Sequence, residues 1–81
     1  MNRGKTRWEV RERLRKSGIP RADLEADILC SEAFRCTREE LLAHPERPVM
    51  PDEGIRLCTL VEARIKRVPV AYLRGKVSFW G

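Results

Sequence analysis

Residues 20–34, PRADLEADILCSEAF, form the stretch that decides the fold. Pro20 suits the first position of a helix because its missing N–H costs nothing there, and Asp23 and Glu25 complement the positive end of the helix dipole. Apolar side chains recur along it at spacings of three and four residues, which places them on one face of a helix. They are Leu24, Ala26, Ile28, Leu29, Cys30, Ala33 and Phe34. The pattern predicts that this is the most buried helix of the protein.

The length and composition predict a small folded domain. With 81 residues the chain has room for one domain with one core. Hydrophobic residues make up 42% of it and charged residues 36%, which is far from the low hydrophobicity of disordered proteins. No apolar run approaches the ~20 residues that a membrane-spanning helix needs, so we expect a soluble protein.

Two further features favour a cytoplasmic location. The first 16 residues are basic, but Glu9, Glu12 and the lack of an apolar core segment argue against a targeting peptide. The cysteines are odd in number and form no C-x-x-C pair, so we expect reduced thiols rather than a disulfide framework or a zinc knuckle. They are Cys30, Cys36 and Cys58.

A capping box, Thr6-Arg7-Trp8-Glu9, predicts the start of the first helix. Trp8, Val10 and Leu14 would supply its thin apolar face. Ser17-Gly18 would end it, because glycine adopts the left-handed conformation without a Cβ penalty. Ile19 would then pack back on the helix.

Three more helices are predicted downstream. A second capping box, residues 37–40, opens a short helix that carries Leu41 and Leu42 and ends before Pro45. Pro51-Asp52-Glu53 starts a helix that runs to about Arg67. Its predicted stripe consists of Ile55, Cys58, Val61 and Ile65, widened by Leu57 and Leu60. A short fifth helix is predicted from Pro69 to Arg74.

Residues 77–81 read as the start of a strand that has no partner within the chain. Phe79 and Trp80 would be exposed on it, which is a liability in a complete protein because an unpaired edge invites association. The prediction is therefore an all-α fold, a small bundle of about five helices with the start of a β-hairpin at the C-terminus. Residues 1–75 would form the helical domain and residues 76–81 the start of a linker to a second domain.

The net charge of +5 is unevenly distributed. Residues 1–16 sum to +5, residues 20–46 to −4 and residues 47–81 to +4. An acidic middle thus interrupts the contiguous basic face that a nucleic-acid binder needs. The pattern does not favour direct nucleic-acid binding, although folding could bring the two basic segments together.

No residue pattern predicts a catalytic, cofactor-binding or metal site. Gly4-Lys5-Thr6 matches only the end of a phosphate-binding loop, without its upstream glycine and strand. His44 is the single histidine, so a histidine metal cluster is impossible. The serines have no histidine nearby in sequence to act as a base. The chain therefore reads as a binding module, or as one part of a larger enzyme.

The closing segment resembles the end of the amino-terminal domain in HemK/PrmC-type methyltransferases. The residues that carry the resemblance are Arg64, Pro69-Val70-Ala71-Tyr72-Leu73, Gly75 and Phe79-Trp80-Gly81. Upstream, Glu25-Ala26-Asp27-Ile28-Leu29 is similar to a helix of the same family. The chain departs from the pattern at Arg67-Val68, where the family often has Gly-Glu, and at Ser78, where it has Glu.

The resemblance implies the amino-terminal domain of an enzyme that N5-methylates glutamine in class one peptide release factors. It implies five helices, joined by a β-hairpin to a Rossmann-like domain that binds S-adenosylmethionine and carries an Asn-Pro-Pro-Tyr motif. The helical domain would help to recognise the release factor and would contact its own catalytic domain. No catalytic or cofactor residue of the family falls within this chain, so the chain alone should be inactive.

Three arginines are the candidate partner-binding residues. Arg11 and Arg15 lie one helical turn apart, and Arg64 belongs to the closing signature; each could make charge-assisted contacts. An alternative is a free-standing basic helical module that binds RNA or the ribosome through residues 1–16 and 56–76. A structural adaptor is a third possibility. We expect Phe79 and Trp80 either to pack on the bundle or to lie disordered.

Overall fold

Four α-helices account for most of residues 2–67, the part of the chain that the computed structural model describes. They are α1 (Arg3–Lys16), α2 (Ala22–Phe34), α3 (Arg38–Ala43) and α4 (Pro51–Ile65). Within this range there is no β-strand, only an isolated antiparallel bridge between Asn2 and Pro48. The predicted helical fold is confirmed here, whereas the fifth helix, the hairpin start, and the placement of Phe79 and Trp80 lie outside the described residues.

The core forms around α2, which packs against each of the other three helices, while α1 also contacts α3 and α4. The prediction that α2 is the most buried helix is confirmed, because seven of its residues are buried. Leu24 departs from the prediction, since it is 36% exposed at the edge of the stripe. None of the helices described here is long and apolar enough to cross a lipid bilayer.

The predicted start of α1 is wrong by one turn. Asn2 caps the helix, because its side-chain Oδ1 accepts the Lys5 N–H at 2.8 Å. Thr6 instead lies inside the helix and is buried. The first turn is held from outside by the loop after α3: Gly4 donates to the Pro45 carbonyl at 3.0 Å, and a Cβ at Gly4 would lie 2.9 Å from the Pro45 Cβ.

The buried face of α1 also differs from the prediction. It consists of Thr6, Val10 and Leu14, which are spaced by four residues. Trp8 lies off this line, and 54% of it is exposed. The predicted place of Trp8 in the core is therefore wrong.

The predicted end of α1 is confirmed. Gly18 has a φ of 79° and donates to the Arg15 carbonyl, while Ile19 donates to the Leu14 carbonyl, both at 3.0 Å. This pair of bonds is a Schellman motif, which usually brings the residues at its two ends into contact. Ile19 and Leu14 are both buried in the core.

The other helix starts agree with the prediction in two cases out of three. Thr37 and Glu40 form the predicted capping box of α3, and α4 begins at Pro51. The prediction for α2 is wrong, because Pro20 precedes the helix and Arg21, at a φ of 56°, is its N-cap residue.

On α4 the buried face is rotated from the predicted stripe. The buried residues are Leu57, Leu60 and Val61, whereas Ile55 is 70% exposed and Cys58 is also exposed.

Candidate partner-binding site

The buried carboxylate of Asp27, on α2, pairs with arginines of α1 and α3. These contacts hold the three helices that surround the site in their relative positions. The Asp27 side chain is 1% exposed and accepts hydrogen bonds from Arg7 on α1 and, at 3.0 Å, from Arg38 Nε on α3. The hydrogen bond to Asp27 raises the pKa of Arg7. Because a buried charge needs a partner, this cluster holds α1 at a fixed position along α2.

A second ion pair takes up Arg64, one of the predicted partner-binding residues. Arg64 donates from Nε and Nη2 to the two carboxylate oxygens of Glu25 on α2, at 2.5 and 3.2 Å. Both side chains are largely buried, with 15% and 14% exposed, and this hydrogen bonding raises the pKa of Arg64. The pair ties α4 to α2, so any partner would have to compete with Glu25 for Arg64.

The other two predicted residues, Arg11 and Arg15, lie together in one surface groove. The groove runs between the end of α1 and the start of α2. It is lined by Arg11, Glu12, Arg15, Ile19, Arg21, Ala22 and Asp23. The structure thus brings together Arg11 and Arg15, whereas Arg64 belongs to the α2–α4 contact.

Glu12 orients the arginines on α1. Arg15 donates to both Glu12 carboxylate oxygens, at 2.6 and 3.3 Å, and Arg11 Nε lies 3.7 Å from Glu12 Oε2. Hydrogen bonding from Arg15 lowers the pKa of the Glu12 carboxyl. Arg has five N–H donors, so the two bonds from Arg15, which lines the groove, leave three donors without an acceptor in the described chain. The arrangement can accept an anionic group from a partner.

Sequence reasoning missed three parts of this groove. The sequence pattern assigned Asp23 to the helix dipole and Ile19 to packing on α1, and it assigned no role to Arg21. The spacing of Trp8 indicates that it shares a face of α1 with two residues of the groove, because it precedes Arg11 by three residues and Glu12 by four. Val10 and Leu14 are four residues apart and share a helix face, whereas Trp8 is two residues from Val10 and six from Leu14. This spacing could have identified Trp8 as a surface residue.

The basic segment at the start of the chain is mostly neutralised by ion pairs. Each of its five arginines lies within 4 Å of a carboxylate: Arg3, Arg7, Arg11, Arg13 and Arg15. Within residues 2–67, seven cations have no ion pair with a carboxylate. They are Lys5, Lys16, Arg21, Arg35, Arg47, Lys66 and Arg67. Because the arginines of α1 are paired with carboxylates, the first basic segment of the RNA-binding alternative has little free charge for phosphates, which disfavours that alternative.

The described residues do not fit an S-adenosylmethionine site. Such sites in Rossmann-like domains use a glycine-rich turn between a strand and a helix. Here Gly4 and Gly54 lie inside helices and Gly18 ends one. Over the same range, no group of three or more His, Cys, Asp or Glu side chains could hold a metal ion.

Comparison of the chain with models of known protein families assigns it to one of them. The model of the PrmC N-terminal domain matches residues 6–75, which include all of α2, α3 and α4 and most of α1. The chain belongs to this family. The resemblance found in the sequence is thereby confirmed.

The relatives of this PrmC N-terminal domain are longer proteins. A "release factor glutamine methyltransferase" of Caulobacter vibrioides is 29% identical over 71 residues, which cover 88% of the chain and 25% of the relative. One from Xylella fastidiosa is 39% identical over 62 residues, covering 76% and 22%. A "bifunctional methyltransferase" of Rickettsia bellii is 35% identical over 68 residues, covering 84% and 12%. The chain thus spans a quarter or less of these relatives. No solved structure matches it.

Proposed function

We propose that this chain is the release-factor-recognition domain of a cytoplasmic, S-adenosylmethionine-dependent protein-(glutamine-N5) methyltransferase. The observation that carries the proposal is the match of the PrmC N-terminal domain to residues 6–75, together with relatives named release factor glutamine methyltransferase. In this proposal residues 1–75 form the recognition domain, and residues 76–81 start the linker to the catalytic domain.

The geometry supports a recognition role. Residues 2–67 contain no assembled set of nucleophile, base and cofactor site, whereas they do present a groove with partly free guanidinium groups. Guanidinium groups that are positioned by a carboxylate bind carboxylates of a protein partner in defined geometry. The three free cysteines are consistent with a reducing compartment.

Methylation by the full-length enzyme tests the proposal. Incubation with S-adenosylmethionine and a class one release factor from the same genome should add one methyl group to a single glutamine, located by tandem mass spectrometry. A release factor with that glutamine replaced by glutamate is the matched control and should gain no mass. Absence of methylation on the unmodified release factor would contradict the proposal.

The RNA-binding alternative makes a different prediction. A basic module would bind single-stranded RNA at low salt and lose affinity steeply as salt rises. We expect no such binding by the full-length enzyme, because the arginines of α1 are already paired with carboxylates. Filter binding at two salt concentrations distinguishes the two functions.

A further inference from the structure

The groove lies at the turn between α1 and α2, and the end of α4 contacts this turn. Arg67 Nη2 donates to the Ser17 carbonyl at 3.1 Å, which places the end of α4 beside the turn between α1 and α2. Arg15, Ile19 and Arg21 flank the same turn.

The groove has the chemistry of a site for an acidic peptide segment. It is lined by two buried apolar side chains, Ile19 and Ala22, and by three arginines against two acids, Glu12 and Asp23. The side chains of Arg11 and Arg15 are 39% and 66% exposed. Arg21 has no ion pair within the described chain, so its full charge is available.

An exposed tryptophan extends this surface along α1. Trp8 lies one helical turn before Arg11 and Glu12, on the side of α1 that faces away from the core. Tryptophan and arginine are the residue types that most often dominate the energy of protein interfaces. A peptide can place a single carboxylate on the arginines, whereas every nucleotide carries a phosphate, so a nucleic acid along this surface would also bring negative charge beside Glu12 and Asp23.

We propose that Trp8, Arg11, Arg15 and Arg21 form a binding surface for an acidic segment of the release factor that carries an apolar side chain. A carboxylate of the segment binds the guanidinium groups of Arg15 and Arg21, and the apolar side chain packs on Trp8. This inference rests on the proposed function and specifies which part of the domain contacts the substrate and by which chemistry.

Steady-state kinetics of the full-length enzyme test the inference. The double variant Arg15→Glu/Arg21→Glu should raise KM for the release factor at least about tenfold and leave kcat within about twofold, because only binding away from the reacting atoms is lost. A short peptide around the target glutamine does not reach the groove, so its KM should not change. Trp8→Ala should raise KM for the release factor about fivefold.

The matched control reverses two unpaired cations at the opposite end of the bundle. Lys5 lies in the first turn of α1, and Arg47 lies in the loop that contacts this turn through Arg3. Lys5→Glu/Arg47→Glu makes the same change in net charge and should leave KM for the release factor within about twofold. A glutamate at position 15 would repel Glu12 and could unfold the domain, which circular dichroism would show. In that case the variant Arg15→Gln/Arg21→Gln, which removes the charges without reversing them, should still raise KM about threefold or more.

Three results would overturn the inference. The first is an unchanged KM for the release factor in the folded groove variants. The second is an equal rise of KM for the short peptide, and the third is a loss of RNA affinity in place of the rise in KM. Each is distinct from failure of the proposed function, which appears as absence of release-factor methylation by the unmodified enzyme.

Discussion

Substitution of Asp27 by asparagine removes one negative charge from the point where α1, α2 and α3 meet, while it keeps the size of the side chain. The asparagine can accept hydrogen bonds only through Oδ1, and its Nδ2 donor would face a guanidinium donor of Arg7 or Arg38. Arg7 would then lie partly buried without its counter-charge.

The expected cost follows from the burial of the three side chains. Breaking a fully buried ion pair costs about 3–5 kcal/mol. Asp27 is 1% exposed, but Arg7 and Arg38 are 31% and 57% exposed, so water compensates part of the loss. We expect a decrease in the free energy of unfolding of about 2–4 kcal/mol. A chain of 81 residues has about 4–12 kcal/mol in total, so this variant should be severely destabilised.

Urea unfolding followed by circular dichroism measures this effect. Arg38→Ala should cost only about 0.5–1 kcal/mol, because Arg38 is mostly exposed. Asp23→Asn is the matched control on the same helix: its side chain is exposed and its loss should cost about 0.5 kcal/mol through the helix dipole. If Asp27→Asn costs no more than Asp23→Asn, the assignment of Asp27 as the joint of three helices is wrong.

Two further predictions concern the left-handed residues and the buried thiol. Gly18→Ala should lower the free energy of unfolding by about 1–2 kcal/mol, because alanine is strained at a φ of 79°. Arg35→Gly should raise it by about 0.5 kcal/mol, because glycine adopts the φ of 54° without strain. Urea unfolding of both variants tests these opposite signs. Burial raises the pKa of the Cys30 thiol from 9.0 to about 12. As pH rises, the thiol therefore ionises in the unfolded chain before it ionises in the folded one. The free energy of unfolding should fall between pH 9 and 12, by up to about 1.4 kcal/mol per pH unit. Cys30→Ala should remove this extra slope, whereas Cys58→Ala, at an exposed position, should keep it; equal slopes in both variants would contradict the prediction.

The parts of the fold that sequence predicted well depend on local chemistry. The stripe on α2, the glycine end of α1 and the capping box of α3 each involve residues within a few positions of one another. The start of α1 was missed because Asn2 and Thr6 are both acceptable caps, and the choice between them depends on a distant contact. Gly4 packs on Pro45 and Arg3 donates to the Arg47 carbonyl at 2.9 Å, which stabilises the extra turn.

The candidate site was likewise predictable from the sequence only where it depends on residues close together in the chain. The spacing of Arg11 and Arg15 identified one wall of the groove, since residues four apart share a helix face. Arg21 was missed because the turn after Gly18, and not a helical spacing, brings it into the lining of the groove. The ion pairs of Asp27 and Glu25 were not predicted, since their partners are 11 to 39 residues away. The engagement of Arg64 by Glu25 could not be inferred from spacing for the same reason.

Hydrogen–deuterium exchange of the full-length enzyme, with and without release factor, tests the recognition role most directly. The account predicts slower exchange in the second half of α1 and in the turn between α1 and α2 when the release factor is bound. The short peptide around the target glutamine should leave these segments unchanged, because it occupies only the catalytic domain. Protection confined to the rest of the enzyme, with no change within residues 2–67, would contradict the claim that this domain recognises the substrate.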